Sequence, residues 1–358
     1  MQIGVLREIK KDEYRVAVTP AGAHELVQHG HDVVVEAGAG LGSSFPDDEY
    51  LHAGARIVDA DAAWSSELVC KVKEPQESEF GHLYDCGALF TYLHLAAYPG
   101  VAKALCERGT TSIAYETVQT DDGELPLLAP MSEVAGRMAT QVGAHFLEKA
   151  HGGRGVLLGG VPGVRPANVV IIGGGNVGTE AARVAVGMGA HVTIFDISPR
   201  RLRELDLYFD HEAVVLMSTR YDVAEALSDA DLVIGAVLIP GGRAPSVVRR
   251  EHLPDMHDGS VLVDVAIDQG GCFETSRETS HSDPTYMIDG VVHYAVGNIP
   301  GAVPRTSTTA LSNSTFPYLL RMADLGVDGA MELHPELARG LNTRKGEVVH
   351  AGVAAALA

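Results

Sequence analysis

Residues 168–196 read NVVIIGGGNVGTEAARVAVGMGAHVTIFD, and the order of patterns within them decides the fold. The β-branched run Asn168–Ile172 reads as a strand. Gly173-Gly174-Gly175-Asn176-Val177-Gly178 is a GxGxxG turn that opens a helical stretch, and His191–Phe195 is a second strand ending at Asp196. A GxGxxG motif alone is weak. Strand, glycine turn, helix and acid-ended strand in this order meet the context requirements of a dinucleotide fingerprint. Gly173 allows the tight turn, Gly175 lets backbone approach a pyrophosphate, and Gly178 lets helix and strand pack closely. Asn176 and Val177 begin the helix, whose N-terminus attracts phosphate charge. Asp196 stands where a carboxylate accepts ribose hydroxyls and repels a 2′-phosphate, which favours NAD over NADP; Arg200 and Arg201 nearby pull the other way. The ordinary alternative is a glycine-rich turn beside a strand-end Asp.

Outward from this stretch, the chain has 358 residues, enough for about two domains. Its 46% apolar content supplies sizeable cores. The excess of 47 acidic over 27 basic residues, a net charge of −20, repels phosphate backbones and argues against nucleic-acid binding. Apolar runs are short of the ~20 residues a membrane span needs. No basic stretch followed by an apolar core opens the sequence, so a cytoplasmic location and no membrane partner are expected. The four cysteines (Cys70, Cys86, Cys106, Cys272) form no CxxC pair and no Cys/His cluster of zinc spacing, so they read as buried or incidental thiols and no metal site is expected.

The first half alternates short apolar strands (2–7, 32–36, 56–59, 67–73, 88–93, 111–115) with helices after Pro20 and near 100–108. Repeated units of this kind predict a mostly parallel, helix-covered sheet. A long helix is expected from Ser132-Glu133, with Val134, Met138, Val142 and Phe146 along one face. A second alternating series follows from Asn168, with strands at 191–195, 214–217, 231–237 and 260–267; beyond Pro304 the pattern is helical over 307–325 and then 332–340. The expected fold class is α/β, two doubly wound Rossmann-like domains with parallel sheets and a cleft between them. Residues 1–127 and 304–358 form the discontinuous substrate domain, and residues 128–303 the NAD-binding domain. The clusters Gly38/Gly40/Gly42 and Gly159/Gly160/Gly163 lack the strand–turn–helix context and read as loops.

Four polar residues stand in apolar strand-end contexts: Arg15 in DEYRVAVTP, Lys73 in CKVKEP, His94 in FTYLHLAAYPG and Asp268 in VLVDVAIDQGG. Ligands of open α/β sheets lie beyond the carboxyl ends of strands. Two cations there can hold a carboxylate, and a His exchanges protons near neutral pH. Each also has an ordinary reading: a satisfied core His, a surface ion pair at Arg15, turn caps at Asp264 and Asp268. Arg7, Glu8 and residues 10–13 read as a solvated charged loop.

Nearly the whole chain resembles the bacterial L-alanine dehydrogenases of the alanine dehydrogenase/transhydrogenase alpha-subunit superfamily. The motifs are IGVLREIKKDEYRVAVTPAG (3–22), KVKEP (71–75), LFTYLHLA (89–96), TSIAYETVQ (111–119), PLLAPMSEVAGR (126–137), GGRGVLLGGVPGV (152–164), ADLVIGAVLIPG (230–241), VDVAIDQGGCFE (263–274) and VPRTSTTALSN (303–313). The resemblance implies reversible oxidative deamination of L-alanine to pyruvate and ammonium with hydride transfer to NAD. It implies that Arg15 and Lys73 grip the substrate carboxylate, that His94 is the general acid/base and Asp268 the second catalytic residue, with Glu116 in support. It places Ser132, Ser218, Val237, Leu238, Ile267, Asn298 and Ile299 around the cofactor with the fingerprint residues; Arg201, near Asp196, is a further cofactor-binding candidate. Ile299 stands where several members carry methionine, and GGGNVG departs from the usual small residues in its middle while keeping the three key glycines. The resemblance also implies self-association as a homohexamer. The superfamily supplies the alternatives, a saccharopine-type dehydrogenase acting on a bulkier oxo acid or an NAD-binding transhydrogenase-like subunit.

Overall fold

A computed structural model describes residues 1–84, 86–237 and 245–357, apart from the Gln269 side chain. The chain divides into two compact units, Met1–Met131 with Val303–Ala358, and Ser132–Ala302. The first holds strands β1 (Gln2–Val5), β2 (Asp32–Glu36), β3 (Arg56–Val58), β4 (Leu68–Cys70), β5 (Ala88–Thr91) and β6 (Thr111–Ala114). The second holds β7 (Asn168–Ile172), β8 (His191–Asp196), β9 (Ala213–Met217), β10 (Leu232–Gly235), β11 (Val261–Asp264), β12 (Thr285–Ile288) and β13 (Val291–Tyr294). Strands β14 (Leu341–Arg344) and β15 (Glu347–Val348) belong to the first unit again.

Among the described residues the first sheet runs β3-β2-β1-β4-β5-β6-β14-β15 and the second β9-β8-β7-β10-β11-β13-β12. Pairing is parallel except at the edges, where β14 with β6, β14 with β15, and β12 with β13 are antiparallel. Val33, Val34 and Val35 are all buried, as are Val169, Val170, Ile171 and Ile172. Burial of successive residues means both sheet faces are covered, the condition of a doubly wound sheet. At the edge, β9 has Val214, Leu216 and Met217 exposed.

Strand β1 lies between β2 and β4, and β7 lies between β8 and β10. Each pair β1/β4 and β7/β10 is therefore a switch point, where the winding reverses and the loops beyond the strand ends diverge. These two places carry the candidate chemistry, each within its own unit.

Three expectations change. The long helix is Ala129–Phe146, a turn earlier than Ser132, because Pro130 falls in a first turn that needs no N–H from it. Beyond Pro304 the two helices expected at 307–325 and 332–340 form with other bounds, and two unexpected strands follow them. Pro304–Leu333, broken at Gly326, and Pro335–Arg339 are helices, but β14 and β15 follow them. Thr343 is fully buried in β14 and its Oγ1 pairs with Ser112 Oγ at 2.6 Å. Strands β12 and β13 were not expected either; they meet at Asp289-Gly290, both with positive φ, as a two-residue hairpin turn requires. No helix among the described residues is long and apolar enough to cross a membrane.

Candidate active site

Strand β4 runs into Lys71-Val72-Lys73-Glu74, and the segment after β1 reaches over to fix it. Glu8 Oε1 accepts the backbone N–H of Val72 at 2.5 Å and of Lys73 at 3.3 Å, while Glu8 Oε2 lies 3.3 Å from Lys71 Nζ. The ammonium also donates to Glu79 Oε1 at 2.8 Å. The side chains of Lys71 and Glu8 are 0% and 2% exposed. Burial pushes the Glu8 carboxyl up, with Glu13 and Glu79 adding to this against the pull of Lys71. Burial alone works against a charged Lys71, but Glu8 and Glu79 outweigh it and hold its pKa above the ordinary lysine value. The expectation of a solvated charged loop at Glu8 and residues 10–13 is thus corrected for two of its carboxylates. Glu8 and Glu13 are buried because each has a buried cation to meet, a pairing that local sequence does not reveal.

Arg15 is 2% exposed, so the surface-ion-pair alternative does not describe it. Glu13 takes its guanidinium side-on: Nε donates to Oε1 at 2.7 Å and Nη2 to Oε2 at 2.6 Å, a bidentate pair. Nη1 faces the Met131 sulfur at 3.0 Å. Burial raises the Glu13 carboxyl, but Arg15, with Lys73 adding to it, outweighs this and holds it at about 2. Lys73 itself is half-buried, and its carbonyl accepts from Thr91 Oγ1 at 2.9 Å, which ties β4's end to β5's.

A testable consequence concerns acid. Glu13 ordinarily titrates at 4.5 and in the fold at about 2. The pair's stabilisation is therefore complete above pH 4.5 and is lost as pH falls from there towards 2. Glu13→Gln leaves Arg15 buried without its carboxylate, so the variant unfolds at lower denaturant than the parent at neutral pH. That gap should close across this acid window; a gap independent of pH removes the ion pair as its cause.

His94 follows β5 with φ of 46°, in the left-handed region. Glu116, beyond β6, holds its backbone: Oε1 accepts the His94 N–H at 2.6 Å and the Leu93 N–H at 3.2 Å. The imidazole Nδ1 lies 3.9 Å from the same carboxylate oxygen, and 38% of the side chain is exposed. Its ring lies parallel to Tyr92, centroids 5.7 Å apart. Tyr92 is buried, which pushes its hydroxyl pKa up, and it donates to the Leu127 carbonyl at 2.5 Å. The exposed imidazole is not a satisfied core histidine: its main chain is pinned and its ring is open to reactants.

In the second unit the fingerprint forms the turn between β7 and the helix Asn176–Gly187. Gly173 has φ of 102°, and a Cβ there would lie 2.6 Å from the Ala236 carbonyl oxygen. A Cβ on Gly178 would lie 1.8 Å from the Gly173 oxygen, so glycine is obligatory for this helix to sit against its strand. At Gly175 a Cβ would meet nothing within 4 Å, and no side chain caps the helix. The turn thus offers open space in front of an uncapped helix N-terminus, a fit for a pyrophosphate. Asp196 Oδ2 accepts the Gly174 N–H and Oδ1 the Ser198 N–H, both at 2.8 Å. Each oxygen keeps a second lone pair for a ribose hydroxyl.

Arg201 is committed elsewhere than to a phosphate: Nε donates to the Gly174 carbonyl at 2.6 Å, Nη2 to Thr179 Oγ1 at 2.8 Å, and Nη1 pairs with Glu204. It braces the glycine turn. Val237 follows β10 beside Gly173, and the Ser218 N–H bonds the Asp196 carbonyl at 2.9 Å. Ser132 lies one turn before Gly136, whose Cα packs against the Val177 carbonyl of the fingerprint helix. Leu238 lies outside the described residues. Asp268 is exposed on the turn Ile267–Gln269, with Ile267 buried beside it. It faces the backbone of Gly297, which precedes Asn298 (φ 63°) and buried Ile299. Asp264 is a positioning residue: it is buried and accepts from Ala266, Cys272 and Phe273 N–H and from Ser276 Oγ, folding the loop that carries Asp268.

The model of the N-terminal domain of the alanine dehydrogenase/PNT family matches residues 4–135, and that of its C-terminal domain residues 139–351. The chain belongs to the alanine dehydrogenase/PNT family. A family relative named alanine dehydrogenase, from Geobacillus stearothermophilus, is 56% identical over 99% of this chain and 96% of its own length. A solved structure of an L-alanine dehydrogenase matches with a TM-score of 0.97 at 51% identity, covering all of both chains. A transhydrogenase from Sinorhizobium meliloti matches at 0.83 and 26% identity, over 98% of this chain and 99% of its own. A nicotinamide cofactor and an oxidoreductase reaction follow from family membership.

Proposed function

We propose that this chain is an NAD-dependent L-alanine dehydrogenase. L-alanine, NAD⁺ and water give pyruvate, ammonium, NADH and a proton, and the reaction runs in both directions. The observation that carries the reading is the gathering of Lys73, Glu13-braced Arg15 and Glu116-pinned His94 beyond the ends of β1, β4, β5 and β6, in a chain 56% identical to a named alanine dehydrogenase.

Lys73 and Arg15 hold the substrate carboxylate, Lys73 as a compact charge and Arg15 through the Nη1 side. That side now faces the Met131 sulfur, a weak acceptor that a carboxylate displaces. Fixing the carboxylate fixes the α-carbon, and orientation of this kind contributes several kcal/mol to lowering a barrier. The dinucleotide, its pyrophosphate held at the glycine turn, would supply the nicotinamide that accepts the α-hydride. His94 takes the proton from the amine or the added water, and returns it in the reverse direction. Asp268 holds the amine or water and favours the cationic character that develops there. Asp196 accepts the ribose hydroxyls, and Arg201, already spent on the glycine turn, is not a 2′-phosphate receptor. Both features support NAD over NADP.

The test is loss of NADH absorbance with pyruvate and ammonium together. Turnover that needs both, with NADPH a poor substitute and 2-oxoglutarate plus lysine inert, is the expected result. NADH binding without turnover on this pair overturns the reading in favour of a transhydrogenase-like role. The homohexamer is part of the same proposal and is read by light scattering of the full chain.

A further inference from the structure

We propose that His145, Glu148 and His151 form a surface site for a divalent transition metal of the zinc class. The sequence reading expected no ligand cluster, yet one donor atom from each of these residues lies within 4.8 Å of the others. His145 is in the last turn of the helix Ala129–Phe146, and His151 closes the turn Lys149–His151. His145 Nδ1 is 3.5 Å from Glu148 Oε1, and His151 Nε2 is 3.8 Å from Glu148 Oε2. A tetrahedron with bonds of ~2.0–2.1 Å has edges of about 3.3–3.4 Å, so donors that lie within 4.8 Å of one another must close by about 1.5 Å at most, within reach of exposed side chains. Neither separation is a good hydrogen bond; with charged imidazoles both are ion pairs, and with neutral ones the three groups converge as donors to a cation.

The convergence is built into the backbone. Glu148 N–H bonds the His145 carbonyl at 3.1 Å, His151 N–H bonds the Glu148 carbonyl at 3.0 Å, and Gly153 N–H returns to Glu148 at 3.2 Å. Phe146 stands edge-on to both imidazoles, at 5.1 and 5.8 Å, and packs on Tyr294, buttressing the rings from behind. The imidazoles themselves are 4.0 Å apart. Two imidazoles and a carboxylate suit Zn²⁺, Ni²⁺ or Cu²⁺, whereas Mg²⁺ and Ca²⁺ prefer all-oxygen shells. The helix C-terminus and the net charge of −20 both favour a cation here. All three side chains are solvent-exposed, so water completes the shell.

His145 is thirteen residues beyond Ser132, about 20 Å along the helix, so the ion clips the helix end without touching the dehydrogenase chemistry. The experiment titrates Zn²⁺ calorimetrically into the tag-free, chelator-stripped full chain. One ion per chain is expected, with affinity lower by at least about tenfold in Glu148→Gln and the site lost in His145→Asn/His151→Asn. Zinc should raise the thermal midpoint of the parent but not of the double variant, and both should share the same metal-free activity. An unchanged stoichiometry in the double variant, the absence of a one-to-one site in the parent, or equal binding of Mg²⁺ overturns the proposal.

Discussion

His94→Asn is expected to lower kcat/KM for the reductive amination of pyruvate by about 10²–10⁴-fold while leaving NADH affinity unchanged. Asparagine is the informative replacement because His94 has φ of 46°, and Asn tolerates the left-handed region better than Ala does. The Glu116 carboxylate can still accept the residue's N–H, so the loop keeps its shape while the imidazole is gone. The imidazole is the proposed proton carrier in both directions, so its removal should cost rate in the oxidation of L-alanine as well as in the reductive amination of pyruvate. NADH affinity is the control, since the fingerprint belongs to the other unit. Glu116→Gln should show a smaller loss of kcat/KM than His94→Asn, because the carboxylate positions His94 rather than exchanging the proton. Parent-like turnover in His94→Asn would remove His94 from the proton path.

Much of this arrangement was legible in the sequence, for physical reasons that differ by element. Strands β2 and β7 matched their expected bounds because unbroken β-branched runs between turn residues leave little other choice. The hairpin β12–β13 carried the strong local signal Asp289-Gly290, but the flanking TYMI and VVHY runs are short and it was passed over. Strand β14 was hidden more deeply: its buried Asn342 and Thr343 are polar, and Asn342 Nδ2 donates to Thr117 while Thr343 pairs with Ser112, partners more than two hundred positions away. The same distinction governs the site. Lys73, His94 and Asp268 stand at strand ends and could be singled out by position. Glu8 and Glu13 looked like surface charge, because a carboxylate is expected to be buried only when a buried cation meets it. The sequence HFLEKAH at 145–151 did contain its two histidines and glutamate, but their convergence needs the helix to end at Phe146 and the chain to turn back.

The largest stability effect is expected at a residue outside the proposed chemistry. Lys71→Met should destabilise the fold by about 3–5 kcal/mol, the range for removing one partner of a buried ion pair. Methionine keeps much of the stem's volume, so the loss is chiefly electrostatic. Glu8 and Glu79 both face the one ammonium, at 3.3 and 2.8 Å, and both side chains are buried. Without Lys71 the two carboxylates are buried against each other, and folding then favours their protonated forms. The sign follows from linkage: a carboxyl whose folded pKa is raised costs stability above its unfolded pKa and regains it as pH falls. The deficit of Lys71→Met should therefore shrink towards pH 5. Glu8→Gln in the Lys71→Met background should recover part of the stability at neutral pH, where a packing defect would not respond. Because Glu8 also accepts the Lys73 N–H, Lys71→Met should raise KM for pyruvate more than it lowers kcat. Denaturant unfolding of the parent, the single variant and the double variant, at pH 5 and pH 7.5, decides it. A pH-independent deficit with no recovery in the double variant would make Lys71 a space-filling residue and leave the placement of Lys73 to β4 and β5 alone.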